Sequence, residues 1–295
     1  MIISWISGGL GNQMFQYALG KVLSHKNAEE LFLDLSGYNP FLNTKDSPRN
    51  FELDIFKLKY SEASRSAIVR LSDSNPVINS INNLFKAKIN PYPKGYVQES
   101  SHGFKSRILE LQGNIYLRGF WQSEKYFNQY SELIRHDFAF PTPPTGKNKA
   151  LLLGIDNSNS VSIHVRRGDY VSNQTTNQFH GVCSLAYYRK AIKSIKDKVT
   201  NPIFYVFSDD PEWCKDNLTI AEKTTYISHN SGEKSWEDMR LMSHCKYNII
   251  ANSSFSWWGA WLNDNPTKIV IAPQKWFNDP SIDTQDVIPD SWLKM

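Results

Sequence analysis

The apolar positions of this chain recur with two periods, and the alternation between them lays out its elements. Short apolar runs at 1–7, 31–35, 115–120, 161–165, 203–207, 225–227, 247–251 and 268–272 have the length and continuity of strands buried on both faces. Between several of them apolar residues return every three or four positions, the spacing of a helix with one face on a core. Over 12–25 this puts Phe15, Leu19, Val22 and Lys26 on one stripe, flanked by Ala18 and Leu23. A second helix is predicted over 124–138, with Ser123 as its cap and Glu124 in its first turn. Others are predicted over 184–198, from Asp210-Pro211-Glu212 with proline in the first turn, over 235–245, and up to Leu262. The segments 62–71 and 77–85 can each carry a short helix, and 40–59 reads as irregular. Strands alternating with helices predict an α/β fold of parallel sheets covered on both faces.

The clearest break in this rhythm is the run Pro141, Pro143, Pro144 and Gly146. It divides the chain into an N-terminal domain over 1–145 and a C-terminal domain over 146–295, each of ordinary size. Composition agrees, because 40% hydrophobic residues can fill two cores. Against 33 basic residues stand 29 acidic ones, and a net +4 is too weak to point to a nucleic-acid partner. Cys183, Cys214 and Cys245 follow no metal or redox spacing and suit small core positions in a reducing compartment. No run reaches the roughly 18 apolar residues of a membrane span, and Met1 leads straight into strand-like sequence, so a cytoplasmic protein is expected. Lys86, Lys88, Lys94, Lys105 and Arg107 gather around Pro91-Tyr92-Pro93. They read as a solvated surface, or as a patch facing an anionic lipid-linked substrate, which would make the protein peripheral at the inner membrane face.

Chemistry is expected where strands end, since ligands of parallel sheets lie at the carboxyl edge. The strand 161–165 runs through His164 into Arg166 and Arg167, whose planar, permanently charged guanidinium groups match phosphate oxygens. Neighbouring side chains leave a strand on opposite faces, so one arginine can pair with Asp169 while the other points into a cleft. Gly8-Gly9-Leu10-Gly11-Asn12-Gln13 joins a strand to a helix, as does Asn252-Ser253-Ser254-Phe255-Ser256, and either turn can present N–H groups to an anion. Asp209 ends another strand and can accept from a base N–H or a ribose hydroxyl, whereas Asp210 suits a helix cap. His164 reads either as a satisfied core histidine or as a ligand contact, and Trp257, Trp258 and Trp261 as a packed helical face. Gly9-x-Gly11 followed by Asp34 also matches part of a nicotinamide or flavin fingerprint, although Met14 stands where the third glycine belongs. No Asp-x-Asp pair occurs, so cations and helix termini would neutralise a diphosphate without a divalent ion.

Taken together, His164-Val165-Arg166-Arg167-Gly168-Asp169-Tyr170, the 8–13 glycine turn, Phe207-Ser208-Asp209-Asp210 and residues 252–260 resemble the motifs of the α-1,2-fucosyltransferases of glycosyltransferase family 11, bacterial type. The resemblance implies a GT-B fold of two Rossmann-like domains facing a central cleft. It implies GDP-β-L-fucose as donor, inversion at the anomeric carbon, no metal or other cofactor, and a galactose-terminated oligosaccharide or lipid-linked glycan fucosylated at its 2-hydroxyl. By the same resemblance Arg166 or Arg167 would bind the β-phosphate, and His164 and Asp209 would lie near guanine or ribose. Ser253, Ser254 and Phe255 would line the diphosphate, and Asn12, in the turn with Gly9, Gly11 and Gln13, would reach the β-phosphate or the glycosidic oxygen. For the general base, Asp169 is the nearest carboxylate and His180 a second candidate, because 171–179 contains no Asp or Glu. A mechanism without a dedicated base stays open. The competing readings are a fucosyltransferase of α-1,3 or α-1,6 linkage, a dinucleotide-dependent oxidoreductase, and a non-catalytic GDP-sugar-binding module.

Overall fold

The computed structural model describes residues 1–38, 49–85 and 89–295, without the side chains of Asp169, Ser172, Thr175 and Thr176. Most of the irregular stretch predicted over 40–59, together with Lys86 and Lys88, therefore lies outside the described residues. The chain forms two compact units, Met1–Ala139 and Phe140–Met295. The proline run opens the second unit.

In the first unit β1 (Ile2–Trp5), α1 (Leu10–Asn27) and β2 (Leu31–Asp34) follow the predicted strand–helix–strand order. There follow β3 (Ser61–Glu62), α2 (Arg65–Ser72), α3 (Pro76–Phe85), β4 (Tyr96–Gln98), β5 (Ile115–Arg118) and α4 (Ser131–Asp137). The strands form one sheet in the order β3-β2-β1-β5-β4, all parallel. Helix α1 buries residues on every side, from Leu10 to Leu23, because it lies between the sheet and the segments 53–56 and 126–138. The single helix expected over 124–138 is broken into 3₁₀ turns at Glu124–Tyr126 and Asn128–Tyr130 before α4. Ser123 caps only the first of these turns, accepting from the Lys125 N–H. The break lets Tyr126, Phe127 and Phe138 all point inward, where Phe15 and Tyr17 of α1 meet Phe127 and Phe138.

The second unit begins with α5 (Gly146–Asp156), which the proline-rich stretch conceals in the sequence, and β6 (Asn159–Val165). Two short helices, α6 (Gly168–Ser172) and α7 (Gln174–His180), replace the expected loop. Next come α8 (Leu185–Lys196), β7 (Pro202–Ser208), α9 (Pro211–Asn217), β8 (Thr224–Ile227) and α10 (Trp236–His244). The unit closes with β9 (Tyr247–Ile249), α11 (Ser254–Leu262), β10 (Val270–Ala272) and β11 (Leu293–Lys294). Its sheet runs β11-β10-β9-β6-β7-β8, again parallel throughout. The order reverses between β6 and β9, so the crevice beyond their carboxyl ends is the expected ligand position.

Strand β6 is buried on both faces, with opposite chemistry on each. Val161, Ile163 and Val165 pack with Tyr188, Ala191 and Ile195 of α8 and Cys214 of α9. Ser160, Ser162 and His164 look the other way, toward α10 and α11, and are buried as well. A polar seam satisfies this face. Asn248 of β9 donates to Ser162 Oγ (2.7 Å) and to the Met242 carbonyl (2.8 Å), and its Oδ1 accepts from Asn263 Nδ2 at 2.7 Å. Replacing Asn248 with leucine keeps the volume but strands the groups it serves, each of which costs about 1–3 kcal/mol when left unpaired. Asn248→Leu is therefore expected to lower the unfolding free energy of this unit by about 3 kcal/mol. Urea denaturation followed by the fluorescence of the α11 tryptophans measures the change, and a loss below about 1 kcal/mol would show that the seam is dispensable.

Candidate functional site

At the carboxyl edge of the first sheet, every side-chain polar group of the glycine turn but one is engaged locally. The Leu10 N–H donates to Glu52 Oε2 (3.0 Å), which places a carboxylate at the start of α1. Burial raises the pKa of that carboxyl, while the hydrogen bond from Leu10 opposes the shift. Gln13 is fully buried: its Nε2 donates to the carbonyls of Gly8 and Asn50, and its Oε1 accepts from the Glu52 N–H. Asp34, where a dinucleotide fold would hold the ribose, is 1% exposed and accepts from the Tyr116 hydroxyl and the Ser36 N–H. A turn closed by its own carboxylate, with its ribose acid sealed, is built to hold the loop at 50–52. That arrangement argues against the dinucleotide reading. Asn12 is the exception. Its Oδ1 accepts from Gln122 Nε2 (2.8 Å), and its Nδ2 has no partner among the described residues.

The second sheet has the opposite sign at this edge. Arg166 and Arg167 leave β6 on opposite sides, as the strand geometry demands. Arg167 turns toward α9, where its guanidinium lies 3.7 Å from the Trp213 ring centroid and its Nε donates to Asp210 Oδ2 at 3.0 Å. Asp210 also caps α9 by accepting from the Trp213 N–H. Arg166 pairs through Nη1 with Asp209 Oδ2 at 2.7 Å, and the other oxygen of Asp209 accepts the Arg167 N–H at 2.8 Å. Each oxygen of Asp209 thus contacts the arginine segment. The described carboxylate partners of the arginines come from the β7 exit. Asp169 lies on α6, and its side chain is outside the described residues. Gly168 is what lets the carboxylate approach, since a Cβ there would stand 2.5 Å from Asp209 Oδ2.

Across the crevice, β9 runs through Asn252 into α11. Asn252 is 3% exposed, and its amide donates to the carbonyls of His180, Gly181 and Trp276, which fixes the turn. The cap residue Ser253 makes no side-chain cap, the first turn holds no acid, and the N–H groups of Ser254, Phe255 and Ser256 have no acceptor among the described residues. Such a helix start carries about half a positive charge and favours an anion. Tyr170 ties α6 to the same turn, its hydroxyl donating to the Asn252 carbonyl at 3.2 Å, and lies 5.4 Å from the Arg166 guanidinium. His180 stacks on Tyr170 (4.6 Å, 9°) and meets Phe277, so it is built into the wall. Trp257, Trp258 and Trp261 are buried core, as their spacing indicates.

His164 faces this crevice from below. Its ring is 5% exposed, lies 5.8 Å from Phe255, and leaves Nδ1 without a partner among the described residues. Burial, opposed by Asp209 and reinforced by Arg166, lowers its pKa to about 4. The imidazole is neutral in the fold, whereas the unfolded chain takes up a proton below pH 6.5, so stability falls as pH drops from 6.5 to 4. His164→Phe removes this titration, and the stability lost between those pH values is expected to shrink by up to about 3 kcal/mol. Denaturation at a series of pH values checks it, and an unchanged slope would mean that His164 does not titrate in this way.

Among the described residues no group of His, Cys, Asp and Glu gathers as a metal cluster, and no helix is long and apolar enough to cross a membrane. An "Alpha-1,2-colitosyltransferase" of Escherichia coli is 36% identical over 296 residues, covering 100% of this chain and 99% of that protein. A "Galactoside alpha-(1,2)-fucosyltransferase 1" of Leontocebus fuscicollis is 28% identical over 176 residues, 56% of this chain and 48% of its own. The crystal structure of "NodZ alpha-1,6-fucosyltransferase co-crystallized with GDP" superposes with a TM-score of 0.50 over 88% of this chain and 90% of that one, at 15% identity. The architecture is that of a GT-B glycosyltransferase, with two Rossmann-like α/β units. The family "Glycosyl transferase family 11" matches residues 1–295, and the chain belongs to that family.

Proposed function

We propose that the protein transfers L-fucose from GDP-β-L-fucose to the 2-hydroxyl of a terminal galactose, with inversion and without a metal ion. The observation that carries this reading is the pairing of Arg166 with the uncapped start of α11 at the point where the second sheet reverses its order. Two sources of fixed positive charge flank one crevice, and a departing diphosphate is the anion they suit. The α-1,2 fucosyl- and colitosyltransferase relatives support the linkage and the sugar class. Colitose is fucose without its 3-hydroxyl, so donor choice between them rests on that one group.

In the proposed reaction the acceptor hydroxyl attacks fucose C1 from the face opposite GDP. The C1–oxygen bond to the β-phosphate breaks as the new glycosidic bond forms, and negative charge grows on the diphosphate. Arg166 receives it, held in place by Asp209, while the N–H groups of Ser254 and Phe255 share the load. Arg167, stacked on Trp213, keeps the turn rigid. His164 stays neutral and offers a nitrogen toward the nucleotide. Asp169 is the proposed proton acceptor.

Three measurements test this. With a β-galactoside acceptor, GDP release is expected from GDP-fucose at least about tenfold faster than from GDP-colitose, because a site that bonds a hydroxyl discriminates against its loss. The same turnover should survive EDTA. The reverse donor preference would reassign the sugar. Arg166→Ala should lower kcat/KM by about 100-fold or more, the loss expected for one donor to a developing anion, whereas Arg167→Ala should act mainly through stability. Equal kinetic losses in two stably folded variants would remove the distinction. Asp169→Asn should lower kcat by about 100-fold with donor KM unchanged if the carboxylate takes the proton, and near-normal kcat would leave the reaction without a dedicated base.

A further inference from the structure

Helix α3 turns its apolar side outward. Val77, Ile78, Ile81, Leu84 and Phe85 fall on one face at helical spacing, a stripe that ordinarily lies on a core. Yet none of its ten residues is buried, and Val77, Leu84 and Phe85 are 65%, 76% and 76% exposed. The asparagines of the opposite side hold the helix to its neighbours instead. Asn79 Nδ2 donates to Ser74 Oγ at 2.9 Å. Asn82 Nδ2 donates to the Ile89 carbonyl at 2.7 Å, and its Oδ1 accepts the Ile89 N–H at 3.1 Å. Asn75, ahead of Pro76, accepts the Val77 N–H at 2.9 Å and so caps the start. The amides are used inward, and leucine and phenylalanine face water.

This exposure is concentrated, and positive charge frames it. Among the described residues ten large apolar side chains are exposed, and five of them lie within 69–89. Scattered exposed apolar residues need no explanation, but a cluster marks a contact surface. From the start of α2 to the approach of β4, residues 65–94 include five basic residues and one acidic. That excess of four equals the net charge of the whole chain, so the other 28 basic and 28 acidic residues balance. Lys86 and Lys88 lie outside the described residues, whereas Arg70, in the last turn of α2, and Lys94, just ahead of β4, are exposed. The Asn75 N–H donates to the Pro91 carbonyl at 2.6 Å, which ties the start of α3 to the segment entering β4 at its amino end. The strand exits of this sheet lie at the other edge, clear of whatever covers α3.

The partner of such a face has to be apolar within and negative at its rim. A second copy of the chain does not qualify, because symmetric pairing apposes identical patches and would set these basic residues against one another. A bilayer that contains anionic lipid offers both parts, acyl chains for Leu84 and Phe85 and phosphates for Arg70 and Lys94. We infer that α3 is an interfacial helix that docks the first unit on an anionic lipid bilayer. Its ten residues span about 15 Å, so it lies along the headgroups with its apolar side inward rather than crossing. The basic segment that reads from sequence as a solvated or lipid-facing surface is thus the rim of a membrane contact. Docking of this kind is independent of which sugar is transferred and to what.

Flotation of the full chain with lipid vesicles is the test. The partition coefficient onto phosphatidylcholine vesicles containing about one-third phosphatidylglycerol is expected to exceed that onto phosphatidylcholine alone by at least about tenfold. Raising NaCl from about 0.1 M to about 0.5 M should release most of the bound protein. Leu84→Gln with Phe85→Gln keeps helix propensity while removing the apolar contact, and should weaken partitioning at least about tenfold at an unchanged melting temperature. Arg70→Glu with Lys94→Glu should erase the preference for anionic vesicles. Wild-type protein that floats with neither vesicle, or a glutamine variant that floats like the wild type, would overturn the inference. An unchanged lipid preference in the charge-reversed variant would do the same. So would a concentration-dependent dimer in sedimentation velocity that the glutamine variant abolishes, since the face would then belong to a second copy.

Discussion

Parallel pairing forces every strand of a sheet to release its chain at the same edge. Whatever chemistry the fold performs must be assembled from the residues that happen to stand there. Both units obey this rule, and in both the sheet interior is closed, so the edge is where polar groups remain to be assigned. The function therefore depends less on the sheets than on how each strand exit is electrostatically finished.

The two units finish their edges with opposite charge. In the first, carboxylates occupy the exits: Glu52 on the start of α1, Asp34 under Tyr116, and Glu99 on the backbone of Phe120 and Trp121. Each accepts N–H or O–H groups that would otherwise attract a phosphate. In the second, the start of α11 is left bare and Arg166 stands across from it. The first unit's exits are thus closed by acceptors, while the second keeps cationic groups at its edge. Asp209 holds the arginine segment in place, pairing with the Arg166 guanidinium and accepting the Arg167 N–H.

How much of this could be read beforehand follows from what each feature depends on. Strands β1, β6, β7 and β9 and helices α1 and α8 were legible because their apolar periodicity is local and strong. So were the motif residues at their ends. The edge strands β3, β4 and β11 were not, being two or three residues long with no pattern of their own. Helix α5 lay hidden behind prolines that do not belong to it, and the segment after Ser123 looked helical because its residues satisfy that period while its aromatics need breaks to reach the core. The partners of the site were the least visible. Glu52 lies 42 positions from Leu10, and Asp209 lies 42 from Arg167, and nothing in either local stretch announces the contact.

A sheet buried on both faces lacks the inside–outside alternation by which most strands find their alignment, since sliding by one residue exchanges one apolar surface for another. The Ser160–Ser162–His164 face of β6 removes that ambiguity. A slip against β9 would bring valine or isoleucine opposite the Asn248 amide and strand its hydrogen bonds in a dry interior. Buried amides thus act as an index mark for assembly, and one that matters for chemistry. The same alignment that seats Ser162 against Asn248 decides how far Arg166 projects beyond the start of α11.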